Sequence, residues 1–262
     1  MSILVHSAKD IEVKPISGRD AARVVSRFHY SGKVVQNSQI NFGVFLDGKC
    51  HGAMQFGPSM DKRKIAGIVR GTQWHQFIEL NRMAFGDALP RNSESRAIAI
   101  VFRIMRKKYP QLKWVISFAD ATQCGDGAIY RASGFILTGM KKNTQIYDVP
   151  GYGVFHKLSF SKSRPTKIQR ILRDKFGMPD ATETKVLKMA NARTLPGFQM
   201  RYVRFLDPSW VDRLAVPVIP FEKIREIGAT MYRGQRVRSE TSDTPGVQSG
   251  EGGATPTRTL HP

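Results

Sequence analysis

Any chemistry in this chain has to come from a few polar residues set among apolar runs. The run Trp114-Val115-Ile116-Ser117-Phe118-Ala119 ends in Asp120. A carboxylate at the C-terminal end of a buried strand stands where α/β sheets place their ligands. Asp120 could take a proton from an amine or bind a metal there, or it could cap a turn. His29 and Tyr30 precede Ser31-Gly32. A histidine in that setting serves as base or metal ligand, or simply ends a helix beside a packing tyrosine. Arg82 falls inside the apolar stretch Phe77 to Phe85. A charge there is costly unless it meets an anion, so Glu79, Asp120 or a cofactor phosphate are its candidate partners. Arg91-Asn92-Ser93-Glu94-Ser95-Arg96 leads into a predicted helix. Unpaired N–H groups and the helix dipole make that junction an anion site, unless Ser93 or Ser95 is a plain cap.

The elements that must carry these residues alternate. A short strand is predicted over Ile11 to Ile16. A helix follows from Gly18 to Phe28, with Ala21, Val24, Val25 and Phe28 at helical spacing. Asn41 to Phe45 and Cys50 to Phe56 read as strands joined by Asp47-Gly48, a strong hairpin signal. Phe77 to Phe85 is the next strand, and Arg96 to Lys108 a helix. Trp114 to Ala119 is apolar enough for a strand buried on both faces. Gly127 to Ala132 reads as a short helix ended by Gly134. Strands follow at Phe135 to Gly139 and around Tyr152 to Leu158. Ser161 to Phe176 reads as a basic helix with Ile168, Ile171 and Leu172 on its buried side. Met200 to Leu206 is a last strand. The pattern is mixed α/β (α+β), a mostly antiparallel sheet flanked by helices with a basic C-terminal extension.

Charge narrows the partners. Across 262 residues, 41 Lys+Arg stand against 21 Asp+Glu, a net charge of +20. Such an excess implies a polyanion, most simply nucleic acid, with an acidic membrane surface as the rival. Between Lys157 and Arg204 there are 12 Lys/Arg and 3 acids. Lys162, Arg164, Lys167, Arg170, Arg173 and Lys175 form the candidate track for nucleic-acid phosphates, with Phe198, Tyr202 and Trp210 as candidates to pack on bases or sugars. No run of eighteen apolar residues points to a membrane span. No secretion signal is legible at the N-terminus. Two cysteines, Cys50 and Cys124, exclude a disulfide framework and a four-cysteine zinc site. Neither His-Glu-x-x-His nor Cys-x-x-Cys occurs. Asp207-Pro208-Ser209-Trp210 imitates the Asp-Pro-Pro-aromatic motif of adenine-N6 methyltransferases, but without a glycine-rich cofactor loop it reads as a turn. Ser239 to Pro262 is polar and reads as a disordered tail. The expected division is a core over 1–160, a basic segment completing the fold over 161–238, and the tail over 239–262.

Two resemblances sharpen this reading. Strand, loop and helix from Glu79 to Lys108, followed by Trp114 to Phe135, resemble the closing half of the GNAT-type N-acetyltransferases. In that family the loop before the central helix binds a coenzyme A pyrophosphate, and a tyrosine in the next helix protonates the departing thiolate. The resemblance gives Asn92, Ser93, Ser95 and Arg96 the phosphate role and Tyr130 the tyrosine role. The family's loop glycines are absent here: Glu94 and Arg96 stand in the stretch that should carry them.

His29-Tyr30-Ser31-Gly32, Asn41-Phe42-Gly43-Val44, Glu79-Leu80-Asn81-Arg82-Met83, Ser93 to Arg96, Ser117-Phe118-Ala119-Asp120 and Ile129 to Phe135 together resemble the phage Mom family. The likeness runs from about Arg23 to Leu158. It implies an acetyltransferase-like fold and an enzyme in the host cytoplasm that converts adenine in double-stranded DNA at N6 to a glycinamide-bearing adenine, shielding phage DNA from restriction. It implies roles for His29, Tyr30, Asp120 and Tyr130 in catalysis and for Arg82 and Ser95 near the donor. That donor would be acetyl-CoA or another acyl or glycyl compound. An iron requirement has been associated with the family, and His29 and Asp120 are the candidate ligands. The alternatives are an ordinary N-acetyltransferase acting on protein, tRNA or a small amine, and a non-catalytic DNA-binding protein.

Overall fold

The computed structural model describes residues 6–161, 166–232 and 235–236. Lys162, Arg164 and the expected tail from Ser239 lie outside the described residues.

Strand β1 (Glu12–Pro15) leads to helix α1 (Gly18–Phe28), which starts where Ser17 Oγ accepts the Asp20 amide, an N-cap worth about 1 kcal/mol. Strands β2 (Ile40–Leu46) and β3 (Lys49–Gly57) form the expected hairpin. Asp47 and Gly48 both take positive φ, as a turn matching strand twist demands. A short helix α2 (Lys62–Ala66) precedes β4 (Phe77–Phe85). Helix α3 (Ser93–Lys108) begins three residues before the predicted start. Strand β5 (Trp114–Ala121) runs two residues past the expected end, so Asp120 lies within it. Helix α4 (Ala128–Ala132) and strand β6 (Ile136–Lys142) follow.

The chain then leaves the sheet. Strands β7 (Ile146–Val149) and β8 (Gly153–His156), helices α5 (Lys167–Lys175) and α6 (Glu183–Met189), and strand β9 (Arg193–Thr194) form a separate module around a three-stranded sheet ordered β8-β7-β9. Its own core holds Val149, Phe160, Leu172, Val186 and Leu187. The predicted basic helix is shorter than expected, because Thr166 Oγ1 caps it by accepting the Gln169 amide. Ile171 is exposed rather than buried. The chain returns as β10 (Phe198–Phe205), which inserts between β5 and β6. The module is thus an insertion between two strands of the main sheet. Its neck is closed by the Asn143 amide on the Gly197 carbonyl at 2.8 Å and by Asn143 Nδ2 on the Leu195 carbonyl at 2.8 Å. Gly197, at φ +154°, lies so close to the Thr122 backbone that a side chain would collide with it.

The main sheet has the order β1-β2-β3-β4-β5-β10-β6, and β4–β5 is its parallel pair. On one face α3 buries Ala97, Ile98, Val101, Phe102 and Met105. Each such larger side chain contributes roughly 1.5–3 kcal/mol of burial. On the other face α1 lays Ala21 and Val25 against Ala53 and Ala84. Trp114, Ile116, Val203 and Trp210 form a second cluster. Tyr202 and Trp210 are therefore core residues, and Phe198 packs against the core, so these three are not free to pack on bases. Asp207 accepts the Ser209 amide and opens the turn expected there.

The parallel pair parts early. Its register covers Phe77 to Glu79 against Trp114 to Ile116, yet β4 continues to Phe85 and β5 to Ala121. The strands separate into a wedge. Its start is bridged by Ser117 Oγ, which donates to the Leu80 carbonyl at 3.1 Å. Beside it β4 carries a bulge: Gln55 faces Arg82 and Phe56 faces Leu80, leaving Asn81 as the extra residue.

Candidate active site

Asp120 is the centre of the site. Alternation along β5 puts it on the face of Trp114 and Ile116, opposite α3. Gln199 Nε2 donates to Oδ1 at 2.7 Å and the Thr122 amide to the same oxygen at 3.0 Å. Gln123 Nε2 donates to Oδ2 at 3.1 Å and Tyr30 Oη to Oδ2 at 3.2 Å. Gln199 is brought there by the β5–β10 register, which sets it opposite Asp120.

Tyr30 and His29 follow α1 directly, with ring centroids 4.4 Å apart. Burial and the Asp120 charge push the Tyr30 hydroxyl well above its ordinary range, so it stays a donor. His29 Nδ1 accepts the Ser31 amide at 3.2 Å and lies 2.9 Å from Ser31 Oγ. Desolvation and then the Arg82 charge push His29 down to about 4, so the ring is neutral with its proton on Nε2. Arg82 finds no carboxylate partner among the described residues. Its Nε donates to the Lys33 carbonyl at 3.0 Å and an Nη to the Asn81 carbonyl at 2.7 Å. Its charge still acts on Glu79, whose carboxyl is pushed up by burial and drawn back by Ser59, Asn81 and Arg82.

Tyr130 comes from the opposite side of the wedge. It is buried in the α3-side core between Phe135 and Tyr202. Burial pushes it up to about 12, opposed by Ser117. Cys124 influences both Tyr30 and Tyr130, and burial and the Asp120 charge raise its own thiol. The short helix carrying Tyr130 is anchored by Asp126, which accepts the Ala128 amide and pairs with Arg131 at 3.1 Å. The module contributes as well. His156, on β8, is held below its ordinary value by burial and by Lys33, while Asp120 pulls it upward.

At the start of α3 a cleft of about 670 Å³ is lined by Lys9, Arg91, Asn92, Ser95 and Arg96 among others. Asn92 takes the left-handed conformation at φ +69° that a loop glycine would otherwise supply. Ser95 Oγ donates to the Asn92 carbonyl, and Ser93 is fully buried with its hydroxyl unpartnered. Neither serine acts as the helix cap. Three cations and a helix N-terminus suit a phosphate. Arg82 does not line this cleft; it stands with His29 and Tyr30.

Of the expected phosphate track, Lys167 and Arg170 are exposed. Lys175 is exposed and lies over the Tyr152 ring at 5.6 Å. Arg173 is a correction. It is 6% exposed and donates to the Pro179 carbonyl at 2.6 Å, so it braces the module from inside. Among the described residues no group of three or more His, Cys, Asp or Glu side chains is placed to hold a metal. His29 Nδ1 and both Asp120 oxygens have hydrogen-bond partners, and nothing in this arrangement supports iron. No helix among the described residues is long and apolar enough to cross a membrane.

Sequence reasoning singled out His29, Tyr30 and Asp120, which the structure brings into contact, and Tyr130, which lies in the α3-side core. It missed Gln123, Gln199, Cys124 and His156. Gln123 and Cys124 had a faint signal, lying just beyond the strand-end carboxylate. Gln199 and His156 had none, because only long-range pairing brings them in.

The pairing of β4 with β5 stops ahead of Asp120, and ligands of α/β sheets bind at the carboxyl ends of strands, a layout that suits a mixed α/β transferase. The chain belongs to the Mom protein family, whose model matches residues 10–223. It is 37% identical over 213 residues to the methylcarbamoylase Mom of Escherichia phage Mu, covering 81% of this chain and 82% of that protein. Among solved structures it is similar to the ribosomal-protein-S18-alanine N-acetyltransferase of Escherichia coli, with TM-score 0.40 and 11% identity over 75% of this chain and 94% of that one. It is also similar to a GNAT superfamily phosphinothricin acetyltransferase of Sinorhizobium meliloti in complex with acetyl-CoA, with TM-score 0.43 and 9% identity over 76% and 89%. These two likenesses are to the general outline of the sheet and say nothing of donor or substrate.

Proposed function

We propose that this chain is a phage DNA-modification enzyme that converts adenine in DNA at N6 to a glycinamide-bearing (methylcarbamoyl) adenine, protecting that DNA from restriction in the host cytoplasm. The observation that carries this reading is its kinship with the phage Mu methylcarbamoylase, since the matched region, 10–223, spans wedge, carboxylate and module alike.

The roles follow from the site. As a bond forms to N6, that nitrogen must lose a proton, and Asp120 is the carboxylate to take it. Neutral His29 presents an N–H from Nε2 and keeps a second positive charge away from Arg82. Tyr130 keeps its proton at neutral pH and can give it to a leaving group across the wedge. The cleft of Lys9, Arg91 and Arg96 would hold the phosphates of an acyl-CoA-like donor. When bound, a thioester of that kind supplies an activated carbon and a thiolate leaving group. Acetyl transfer alone attaches a carbonyl carbon. The glycinamide attaches a methylene and carries a second nitrogen, so transfer of a thioester's carbonyl does not by itself make it: either the acyl group is rearranged and gains a nitrogen after transfer, or the donor is a different compound. A base inside a duplex has to be flipped out to be reached. Lys167, Arg170 and Lys175, exposed on the module, would hold the backbone phosphates meanwhile.

Nucleoside mass spectrometry of DNA from bacteria expressing the protein tests the reading. Deoxyadenosine carrying the glycinamide unit is expected, and it should vanish in an Asp120→Ala variant. Unmodified DNA from cells with soluble wild-type protein would refute it.

A further inference from the structure

Asp120 has more partners than a working base should. A carboxylate offers about four lone-pair sites. Here four donors fill them: Gln199 and the Thr122 amide on Oδ1, Gln123 and Tyr30 on Oδ2. The function proposed above needs the same carboxylate to accept an N–H of the target base. One donor must leave.

The four are not equally free to go. The Thr122 amide belongs to the backbone that carries Asp120. Gln199 makes the shortest bond, 2.7 Å, and is fixed by strand pairing. Gln123 is half-buried in the turn after β5. Tyr30 makes the longest bond, 3.2 Å, and reaches Asp120 from a segment ninety residues away. The residue is 50% exposed. It lies in the irregular stretch between α1 and β2, two residues before Gly32 at φ +59°. His29 beside it is pinned by Ser31, so the tyrosine can turn without moving the histidine.

We propose that the Tyr30 hydroxyl is a place-holder for the substrate's amino group: an N6–H of adenine takes over its position on Asp120 Oδ2, and the tyrosine ring turns aside. This rests on the function proposed above. The exchange replaces one donor by another, so the carboxylate is never left bare. A purine without the amino group cannot displace the hydroxyl and leaves the Tyr30–Asp120 bond in place, so the hydroxyl competes with adenine alone.

The test measures binding of the full chain to single-stranded oligonucleotides carrying either one adenine or one unsubstituted purine at the same position. Single strands remove the cost of flipping. Wild type should prefer adenine. In Tyr30→Phe the ring remains and the competing hydroxyl is gone, so the adenine-over-purine preference should rise about fivefold or more. A preference that stays level or falls would overturn the place-holder, because a hydroxyl that helps bind the base gives that result. Wild-type protein that leaves DNA adenine unmodified in the mass-spectrometric assay would sink the underlying function, and the place-holder with it. Modified adenine together with a level preference sinks the place-holder alone.

Discussion

Gln199 holds its own end of Asp120 while Tyr30 holds the other, and the two should behave differently when altered. In Gln199→Leu the carboxylate loses the shortest of its three side-chain bonds and can rotate. A hydrogen bond to a charged group contributes about 1.5–3 kcal/mol, so kcat should fall roughly 10- to 100-fold. KM for DNA should change little, because Gln199 does not meet the base. Steady-state adenine modification by the two proteins measures both. His29 carries a prediction about pH. Its folded value is about 4 against an ordinary 6.5, so between those limits the unfolded chain binds a proton that the folded chain does not. Stability contributed by the neutral ring is whole above pH 6.5 and drains away as pH falls toward 4, by about 3 kcal/mol at the ceiling. Urea melts at pH 7, 5 and 4 should therefore show a smaller acid loss in His29→Gln than in wild type; parallel losses would contradict the assignment. Asp120, His29 and Tyr30 could be singled out from the sequence because each stands at or just beyond the last apolar residues of an element with a visible pattern. Gln199 could not, since nothing near it in the chain marks what lies across the sheet.

Secondary structure was legible wherever its cause was local. The α1 boundaries follow from Ser17 and the apolar spacing, and the β2–β3 turn from Asp47-Gly48. The wedge between β4 and β5 was not legible, because strand separation is a property of pairing and leaves no mark in either strand. Strand β7 escaped because Ile146-Tyr147-Asp148-Val149 shows no apolar–polar alternation to mark it. The basic helix was drawn too long, since charge continues upstream of the cap at Thr166. Helix α5 separates two kinds of arginine that composition cannot tell apart. Arg170→Ala removes an exposed cation. It should cut the slope of log affinity for duplex DNA against log salt by about 0.9 and leave melting unchanged. Arg173→Met removes a buried brace and orphans the Pro179 carbonyl. It should cost about 1–3 kcal/mol of stability. Salt titrations and thermal melts of the pair distinguish the two, and a matching salt-slope loss in both would contradict the burial argument.

The molecule as a whole is a seven-stranded sheet with a second small core hung from one neck. The two ends of the module meet in a backbone hydrogen bond at Asn143 and Gly197. Replacing residues 144–196 by a two-residue Asn-Gly turn should therefore leave the main sheet able to close. The trimmed chain is expected to melt cooperatively and to lose at least about tenfold in DNA affinity, as phosphate contacts go with the module. Melting curves and salt-dependent binding would check it, and undiminished affinity would move the DNA track elsewhere. The place of β10 has a further consequence, for synthesis. Asp120 leaves the ribosome 79 residues ahead of Gln199, an interval of roughly 4–16 s at ordinary elongation rates. Until β10 arrives, β5 and β6 each present an unpaired edge, the kind of surface on which nascent chains stick to one another. A polypeptide stalled or clipped before residue 198 would carry nearly every side chain of the site and still be inert, its sheet open where the last strand belongs.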